Sequence, residues 1–383
     1  MKIIFDRKEL CNLFPPLMCA VSNRSTIQAT EGILIEAGED NTCTLTSYDA
    51  EKGIILHTEP VFCTPGKYII NAQKFFQISK VMSGDQIELD IDDKLVAKIS
   101  SGNSSYKISA LPGSDFPSIP DISRDRSFII SQGLLKKMIN KVSYAIGNDE
   151  TRPILNGCFC HVEENRLTVV SCDTINLAKS SATSEIENKN ESGNPLDFKF
   201  VIPSKTINEL VRLISDDDDE KLRVFITRRY IIFVIGEITF FSRLIDGEYL
   251  DYNRVIVKNH KIKVTVDRAE FTSALERASL VTEEKIAFTV RAHVKLNFVG
   301  DKLKIVAEST QGSTYDELDI EHEGEDMLIA FNNRYLLTGM RCCGGEKITL
   351  SLSSPLTSMN VEPVENNDEN NELFMFLPIR MKE

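Results

Sequence analysis

The sequence lacks the segments by which a chain enters or crosses a membrane. No apolar run in its 383 residues approaches the ~20 residues that a membrane-spanning helix needs. The amino terminus has no basic stretch followed by an apolar one. Apolar residues make up 42% of the chain and charged residues 26%, as in an ordinary globular protein. We therefore expect a cytoplasmic protein with no membrane association.

The sequence also has little that points to metal or disulfide chemistry. Histidine occurs five times, at widely separated positions and without the HExxH spacing of a zinc site on a helix. The nine cysteines are odd in number and form no CxxC pair. We expect buried thiols in a reducing compartment rather than a disulfide framework. The sequence predicts neither a metal site nor a cofactor.

Positive charge is scarce overall. The 44 lysines and arginines against 57 acidic residues leave a net charge of -13. This balance argues against a surface uniformly suited to nucleic acid, although segregated charge can still provide a basic face. Much of the acidic excess lies in residues 216–220 and 362–372. The first of these blocks follows a predicted helix and precedes a predicted strand, so we interpret it as a solvated loop and not as a metal site.

The chain does contain three copies of one opening, a short strand followed by a helix cap. Lys2-Ile3-Ile4-Phe5 precedes Asp6-Arg7-Lys8-Glu9, and residues 261–266 precede Asp267-Arg268-Ala269-Glu270. A third, less regular copy begins at Phe128. A chain of this length suggests two to four domains. The three openings select three domains, at residues 1–124, 125–257 and 258–383.

Each copy repeats one order of elements twice. A helix with an apolar stripe is flanked by one strand before it and three strands after it, so each copy is a doubled β-α-β-β-β unit of the α+β class. In the helix predicted after Ser204, Ile207 and Leu210 lie on the apolar face and Lys205 and Arg212 on the opposite face. Six such helices beside acidic sheets would give the molecule one positive side. A closed ring would turn that side inward.

Five segments, in order along the whole chain, resemble the bacterial sliding clamps, the beta subunits of DNA polymerase III. The resemblance implies three tandem DNA-clamp domains and a head-to-tail dimeric ring, with helices inside around duplex DNA and sheets outside. It implies no catalytic activity. The implied partners are a second copy of the chain, double-stranded DNA, the replicative DNA polymerase, the clamp loader and other proteins with clamp-binding peptides. The segments are Leu111-Pro112-Gly113-Ser114-Asp115-Phe116-Pro117, Thr151-Arg152-Pro153-Ile154-Leu155-Asn156-Gly157, Cys172-Asp173 with Leu177-Ala178, Asp251-Tyr252-Asn253-Arg254-Val255-Ile256 and Leu377-Pro378-Ile379-Arg380-Met381.

The resemblance assigns residues to a DNA-binding surface and to a dimer interface. Cations on the inner helices would neutralise phosphates without reading base sequence, although each is equally compatible with a solvated surface position. The DNA-binding candidates are Arg24, Lys74, Arg152 and Lys205. Apolar residues at the ring joint would meet across it, unless they belong to the cores of their own domains. The interface candidates are Tyr106, Ile108, Leu280 and Val281.

The resemblance also implies a hydrophobic cleft between the second and third domains that receives partner peptides. This sequence departs from the family there, because Asp173-Thr174-Ile175-Asn176-Leu177 replaces the usual Asp-Gly-His-Arg-Leu. Asn176 removes a cation that an acidic peptide residue would contact, and Leu250 stands where proline is common. The cleft candidates are Leu155, Cys172, Thr174, Ile175, Leu177, Leu250, Arg254, Val255, Asn332, Tyr335, Leu356, Ser358, Met375, Phe376, Leu377, Pro378, Ile379 and Arg380.

Two other functions remain open from the sequence. A metal-dependent nuclease would use clustered carboxylates, but the acidic residues here fall on alternating strand positions or in loops. A scaffold of stacked repeats would share the threefold pattern, but such arrays have periods of about 20–50 residues. Divalent-metal-dependent activity would favour the nuclease. A monomer or an open filament in place of a closed dimer would favour the scaffold.

Overall fold

A computed structural model of the chain describes residues 1–22, 26–120, 126–282, 285–286, 289–290, 293–310 and 312–381. Its described residues contain seven α-helices, and none of these is long and apolar enough to span a membrane. The helices are α1 (Arg7–Met18), α2 (Ala72–Val81), α3 (Gln132–Val142), α4 (Ser204–Leu213), α5 (Tyr252–Val255), α6 (Arg268–Thr282) and α7 (Asn333–Cys342).

The same residues contain 29 strands, most of which follow the alternating segments of the sequence. They are β1 (Lys2–Asp6), β2 (Gly32–Ala37), β3 (Cys43–Tyr48), β4 (Lys52–Thr58), β5 (Phe62–Cys63), β6 (Gly66–Asn71), β7 (Gln86–Ile91), β8 (Val96–Ser101), β9 (Ser104–Pro112), β10 (Ser127–Ser131), β11 (Gly157–Glu163), β12 (Arg166–Cys172), β13 (Asn176–Thr183), β14 (Glu187–Asn188), β15 (Asp197–Pro203), β16 (Lys221–Ile226), β17 (Tyr230–Ile235), β18 (Ile238–Arg243), β19 (Ile262–Asp267), β20 (Lys285–Ile286), β21 (Thr289–Val290), β22 (His293–Val299), β23 (Lys302–Glu308), β24 (Ser313–Asp319), β25 (Glu321–Glu323), β26 (Met327–Asn332), β27 (Lys347–Leu352), β28 (Met359–Pro363) and β29 (Asn370–Phe376).

The repeated strand-to-helix openings have nearly the same geometry. The backbone N–H of Glu9 donates to Asp6 Oδ1 at 3.0 Å, and that of Glu270 donates to Asp267 Oδ1 at 2.8 Å. Asn71 caps α2 in the same way. Each carboxylate or amide oxygen satisfies a backbone donor that the first helical turn leaves unpaired. The helix starts predicted at these positions are confirmed.

Several elements differ from the sequence-based expectation. Pro15 and Pro16 predict a distortion of the first helix; α1 includes both prolines and continues to Met18, with Leu10, Phe14 and Leu17 buried. The sequence predicts a last strand from Leu373 to Pro378, whereas β29 begins at Asn370 and ends at Phe376. Strand β28 and the one-turn helix α5 are additional elements that neither alternation nor helical periodicity had indicated. The acidic run at residues 216–220 is an exposed loop, as predicted.

The chain divides into two compact units. The first contains residues 1–132, 187–194 and 208–244, and the second contains residues 133–186, 195–207 and 245–383. Strands from residues 125–257 therefore belong to both units. The three domain boundaries drawn from the sequence stay a prediction.

In the first unit, β18 pairs antiparallel with β4 and so extends one sheet to 14 strands, in the order β14-β10-β16-β17-β18-β4-β3-β2-β6-β9-β8-β7-β1-β5. The core beneath this junction is apolar and includes Leu34, Tyr48, Phe225, Ile232 and Phe241. The rings of Tyr48 and Phe241 lie 5.6 Å apart. Sequence-distant strands are thus fixed to one another by a shared buried layer.

In the second unit, β13 pairs antiparallel with β29 to give a nine-stranded sheet of order β15-β11-β12-β13-β29-β28-β27-β19-β25. A separate four-stranded sheet has the order β24-β23-β22-β26. The β13–β29 pairing places Leu177 opposite Met375. It also brings the carboxyl-terminal strand beside the turn that joins β12 to β13, and this position creates the site described next.

Candidate functional site

A cavity of 690 Å³ lies in the second unit, at the end of strands β12, β13 and β29. Its size is that of a site for a small ligand or a few peptide side chains. Most of its walls are apolar. The lining residues are Thr151, Arg152, Pro153, Ile154, Leu155, Cys172, Thr174, Asn176, Asp246, Glu248, Leu250, Val255, Met375 and Leu377.

A buried cluster supports the apolar walls. Leu155, Cys172 and Met375 line the cavity and also belong to the core that contains Leu177 and Tyr249. The Tyr249 ring stacks on Phe159 with centroids 5.0 Å apart, which fixes the chain just before Leu250. The walls are therefore held by packing on the sheet and do not need a ligand to form.

A network of short polar contacts shapes the turn that carries Arg152. The Asp149 carboxylate accepts from the Thr151 backbone N–H at 2.8 Å and from its hydroxyl at 2.7 Å. These hydrogen bonds lower the pKa of Asp149. Asn156 closes the turn by donating to the Asp149 carbonyl and accepting from the Asp149 N–H, both at 3.0 Å. Gly157 follows, where any Cβ would lie 2.4 Å from the Ile202 carbonyl oxygen.

The turn between β12 and β13 forms a second wall. Asp173 Oδ1 accepts from the backbone N–H groups of Ile175 at 2.9 Å and Asn176 at 2.6 Å. Thr174 between them has a φ of 78°, in the left-handed region that a β-branched residue seldom adopts. Burial raises the pKa of the Cys172 thiol, so it stays protonated and presents a weakly polar surface to the cavity.

The loop at residues 246–250 forms a third wall. Gly247 has a φ of 130°, and a Cβ there would lie 3.5 Å from Ile154 Cδ1. The loop thus passes close to the side chain of Ile154. Asp246 and Glu248, on either side of the glycine, are exposed. Within the described part of the chain, neither carboxylate has an ion-pair partner.

The structure brings together seven of the predicted cleft residues around this cavity and places the others elsewhere. Leu177 on β13 and Phe376 on β29 are buried in the interior, and so is Ser358 directly before β28. Arg254 is exposed and its Nε lies 2.9 Å from Asp251 Oδ2. The seven are Leu155, Cys172, Thr174, Leu250, Val255, Met375 and Leu377. The remaining predicted residues outside the lining are Ile175, Asn332, Tyr335, Leu356, Pro378, Ile379 and Arg380.

Some outlying cleft candidates have defined contacts of their own. Asn332 caps α7 by accepting from two backbone N–H groups. The N–H of Ile379 donates to the Ala330 carbonyl at 2.8 Å, and that of Leu377 donates to the Ile175 carbonyl at 2.9 Å. These backbone bonds hold the segment after β29 in place. They bring Leu377, which is 41% exposed, to the cavity.

Five lining residues lie outside every site predicted from the sequence: Thr151, Pro153, Ile154, Asp246 and Glu248. Asn176, the cleft position at which this sequence lacks the cation of the family, also lines the cavity. Arg152 also lines the cavity, although it was assigned to DNA contact. Thr151 to Ile154 belong to one of the five segments that resemble the family, and Asp246-Gly247 is a typical turn pair in the sequence. Periodicity indicates strands and helices. It does not indicate that the turn at residues 151–154 and the loop at residues 246–248 lie close together.

The other predicted DNA-binding residues lie on helices where the structure describes them. Lys74 is exposed on α2 and Lys205 is exposed on α4. Arg24 lies outside the described residues. Nothing further distinguishes these lysines from other exposed cations, so their contact with DNA stays a prediction.

The predicted interface residues lie at a strand edge and at a helix end. Residues 104–109 of β9 pair with β8, whereas β6 pairs only with residues 110–112. In the described chain, one edge of β9 at Tyr106 and Ile108 is therefore without a partner strand. Leu280 near the end of α6 is 86% exposed, and Val281 beside it is half-buried.

The site offers apolar and charged binding surfaces. Among the described residues, no three His, Cys, Asp or Glu side chains are placed to hold a metal ion. All nine cysteines are free. Burial raises the pKa of the Cys43 thiol to about 12, which suits a small hydrophobic core residue better than a nucleophile. The cavity can bury apolar side chains and pair with a few charges.

Models of one protein family match the sequence along most of its length. Residues 1–120 match the DNA polymerase III beta subunit, N-terminal domain, residues 129–251 its central domain and residues 253–377 its C-terminal domain. The beta sliding clamp of Staphylococcus epidermidis is 27% identical over 392 aligned positions, which cover 99% of each chain. That of Staphylococcus aureus is also 27% identical, over 94% of each chain.

Solved structures of the same kind have a similar fold. A putative DNA polymerase III beta subunit from Eubacterium rectale superimposes with a TM-score of 0.91 at 25% identity, and the sliding clamp of Bacillus subtilis with a TM-score of 0.90 at 26% identity. The Pseudomonas aeruginosa sliding clamp, solved bound to griselimycin, gives 0.88 at 26% identity. Each comparison covers 100% of both chains.

Proposed function

This chain belongs to the DNA polymerase III beta subunit family, and we infer that it works as a DNA sliding clamp. It consists of three tandem clamp domains and is a non-catalytic processivity factor of DNA replication. As a ring it encircles duplex DNA without sequence specificity and tethers the polymerase to its template. The ring supplies persistence by topology, so no base-edge contact is needed. Since a bacterium replicates its chromosome in the cytoplasm, we place the chain there.

We propose that the cavity beside β29 is where partner peptides bind. The observation that carries this proposal is an apolar, preformed cavity whose wall includes the exposed side chains of Val255 and Leu377. A peptide leucine or phenylalanine buried there would contribute about 1.5–3 kcal/mol, or one to two decades in affinity. Peptides of the replicative polymerase, the clamp loader and repair proteins are the proposed ligands.

We further propose a head-to-tail homodimer. The open edge of β9 would pair with an edge strand of the third domain in a second copy, and β24 suits this role because it pairs only with β23 in the described residues. Leu280 would become buried at the joint. Exposed strand edges are ready templates for such pairing. Burial of the exposed Leu280 side chain by the partner would stabilise the dimer.

The DNA-binding surface is proposed to include Arg24, Lys74, Arg152 and Lys205 on the inner side of the ring. The domains are proposed to span residues 1–124, 125–257 and 258–383. The support for both is the order of the family segments along the chain together with the helical positions of the two lysines. Lysine and arginine contacts to phosphates would favour sliding because they do not depend on sequence.

Deletion from Leu377 onward tests the cavity. The truncation removes Leu377 from the lining and the backbone hydrogen bonds that hold the segment after β29. A leucine- and phenylalanine-containing polymerase tail peptide should therefore lose affinity in fluorescence polarisation. Deletion from Met381 onward is the matched control, since it shortens the same tail without reaching the lining. Dimer formation and retention on DNA should survive both deletions, with some loss of stability in the longer one. If the protein truncated from Leu377 binds the peptide as tightly as the full-length protein does, the partner site lies elsewhere.

A further inference from the structure

The cavity has a charge pattern that points to the chemistry of its ligand. Its lining contains two carboxylates, Asp246 and Glu248, and one cation, Arg152. All three are exposed, and in the described residues the two carboxylates have no salt-bridge or hydrogen-bond partner. Unlike most of the surface acids on strands β23 to β25, they are thus available to an incoming charge.

Arg152 offsets one of the two carboxylate charges in the lining, so the lining keeps an excess of one negative charge. Two other polar groups nearby do not offset it. Arg254 is already paired with Asp251 at 2.9 Å. Asn176 is neutral, and its amide Nδ2 donates to Asp173 Oδ2 at 2.9 Å. The chain as a whole carries a net charge of -13, which adds a long-range potential that attracts cationic ligands. Local and global charge therefore act in the same direction.

The carboxylates stand at the edge of the apolar wall. They flank Gly247, which approaches the side chain of Ile154, and Leu250 follows two residues after Glu248. A peptide side chain seated against Ile154 and Leu250 would bring the neighbouring peptide residue to this loop. Successive residues of an extended peptide lie ~3.3 Å apart along the chain, well within the reach of a lysine or arginine side chain.

Resting on the proposed function, we propose that this cleft selects peptides with a lysine or arginine beside the apolar anchor and discriminates against those with aspartate or glutamate there. The apolar anchor supplies most of the affinity. The carboxylate pair supplies specificity, because a like charge placed beside it is disfavoured while a cation is attracted.

Three peptides that share one leucine- and phenylalanine-containing core test this selection. They differ only in carrying lysine, glutamine or glutamate at the flanking positions, and their binding to the full-length protein is measured by fluorescence polarisation at low and high salt. The lysine peptide should bind about 5- to 10-fold more tightly than the glutamate peptide at low salt, the range expected for two exposed charge pairs. Added salt should narrow the difference.

Paired variants locate the effect. Asp246→Asn with Glu248→Gln should remove most of the difference between the lysine and glutamate peptides. The matched control is Glu323→Gln with Glu325→Gln, which neutralises two exposed acids outside the cavity lining and should leave the difference intact. If both double variants lose the discrimination between the lysine and glutamate peptides, the discrimination comes from the net charge of the protein. That result would overturn the local role of Asp246 and Glu248.

The glutamine peptide separates this inference from the proposed function. If it binds through its leucine but the three peptides have equal affinities, or the glutamate peptide binds most tightly, the charge selection is overturned and the binding site stands. If none of the three peptides binds, both the site and the selection are overturned.

Discussion

Asp173 and Asn176 hold the turn between β12 and β13 through two hydrogen bonds: the Asn176 backbone N–H lies 2.6 Å from Asp173 Oδ1, and its side-chain Nδ2 lies 2.9 Å from Asp173 Oδ2. The Ile175 N–H adds a third bond to the same carboxylate. This turn carries Thr174 and Asn176 into the cavity wall. One side chain therefore fixes part of the proposed peptide site.

Replacing Asp173 by alanine should loosen this wall. The change removes three hydrogen bonds to a charged acceptor and should lower the free energy of unfolding by about 2 kcal/mol, with a parallel loss of peptide affinity. Asp173→Asn keeps one acceptor oxygen for the backbone donors and should cost less in both respects. Chemical denaturation and fluorescence polarisation measure the two effects. A variant with unchanged stability and affinity would show that the turn does not depend on this carboxylate.

The dimer interface should fail when its apolar residues become charged. Ile108→Asp combined with Leu280→Asp would place carboxylates in a buried joint, which is unfavourable without partners. Folded monomers are expected by light scattering and circular dichroism. Val364→Asp, at a residue that is 51% exposed and outside the proposed joint, is the control and should leave a dimer. Persistence of the dimer in the double variant would remove the interface assignment.

DNA contact should depend on the two helical lysines in a quantitative way. Each phosphate contact contributes ~0.9 to the slope of log affinity against log salt. Lys74→Ala with Lys205→Ala should therefore reduce the slope by about 1.8, with no change in sequence preference. Lys98→Ala with Lys263→Ala, two exposed lysines on strands, should not alter it. Arg152→Ala belongs in a separate variant, because this residue also lines the cavity.

Stability should fall in mildly acidic solution through His260. Its Nε2 lies 3.0 Å from Asn360 Nδ2 and 2.9 Å from the Val257 carbonyl oxygen, and Asn360 Nδ2 also donates to that carbonyl. Burial, and to a smaller degree Lys263, lower the pKa of His260. The folded state thus prefers the neutral ring, while the unfolded chain takes up a proton near pH ~6.5.

The contribution of neutral His260 to the free energy of unfolding should be complete above pH ~6.5. It should decline as the pH falls from there toward the lower pKa of the folded state. Thermal unfolding between pH 8 and about 5 measures the decline. His260→Gln cannot titrate, so its stability should change less over this interval. Identical pH profiles for the two proteins would assign the acid sensitivity to other groups.

Local signals made much of the fold predictable, whereas the site depended on contacts between turns. Asp267 and Glu270 predict a helix start, because a helix cap joins two residues that are only three positions apart in the sequence. Ile154 and Gly247 approach each other only because a left-handed glycine bends one loop toward another turn. Leu177 and Leu377 are chemically identical in sequence, yet strand pairing buries the first and leaves the second exposed. Alternation alone does not report which end of a sheet opens into a cavity.

Encirclement of DNA is the central claim, and retention on circular DNA tests it most directly. The labelled full-length protein is placed on a nicked circular plasmid by a bacterial clamp loader with ATP, and the complex is separated by gel filtration in high salt, which suppresses ordinary phosphate contacts. A closed ring should elute with the circle and should be released when a restriction enzyme linearises the same DNA. Equal retention on circular and linear plasmid, or release from both, would contradict a sliding clamp.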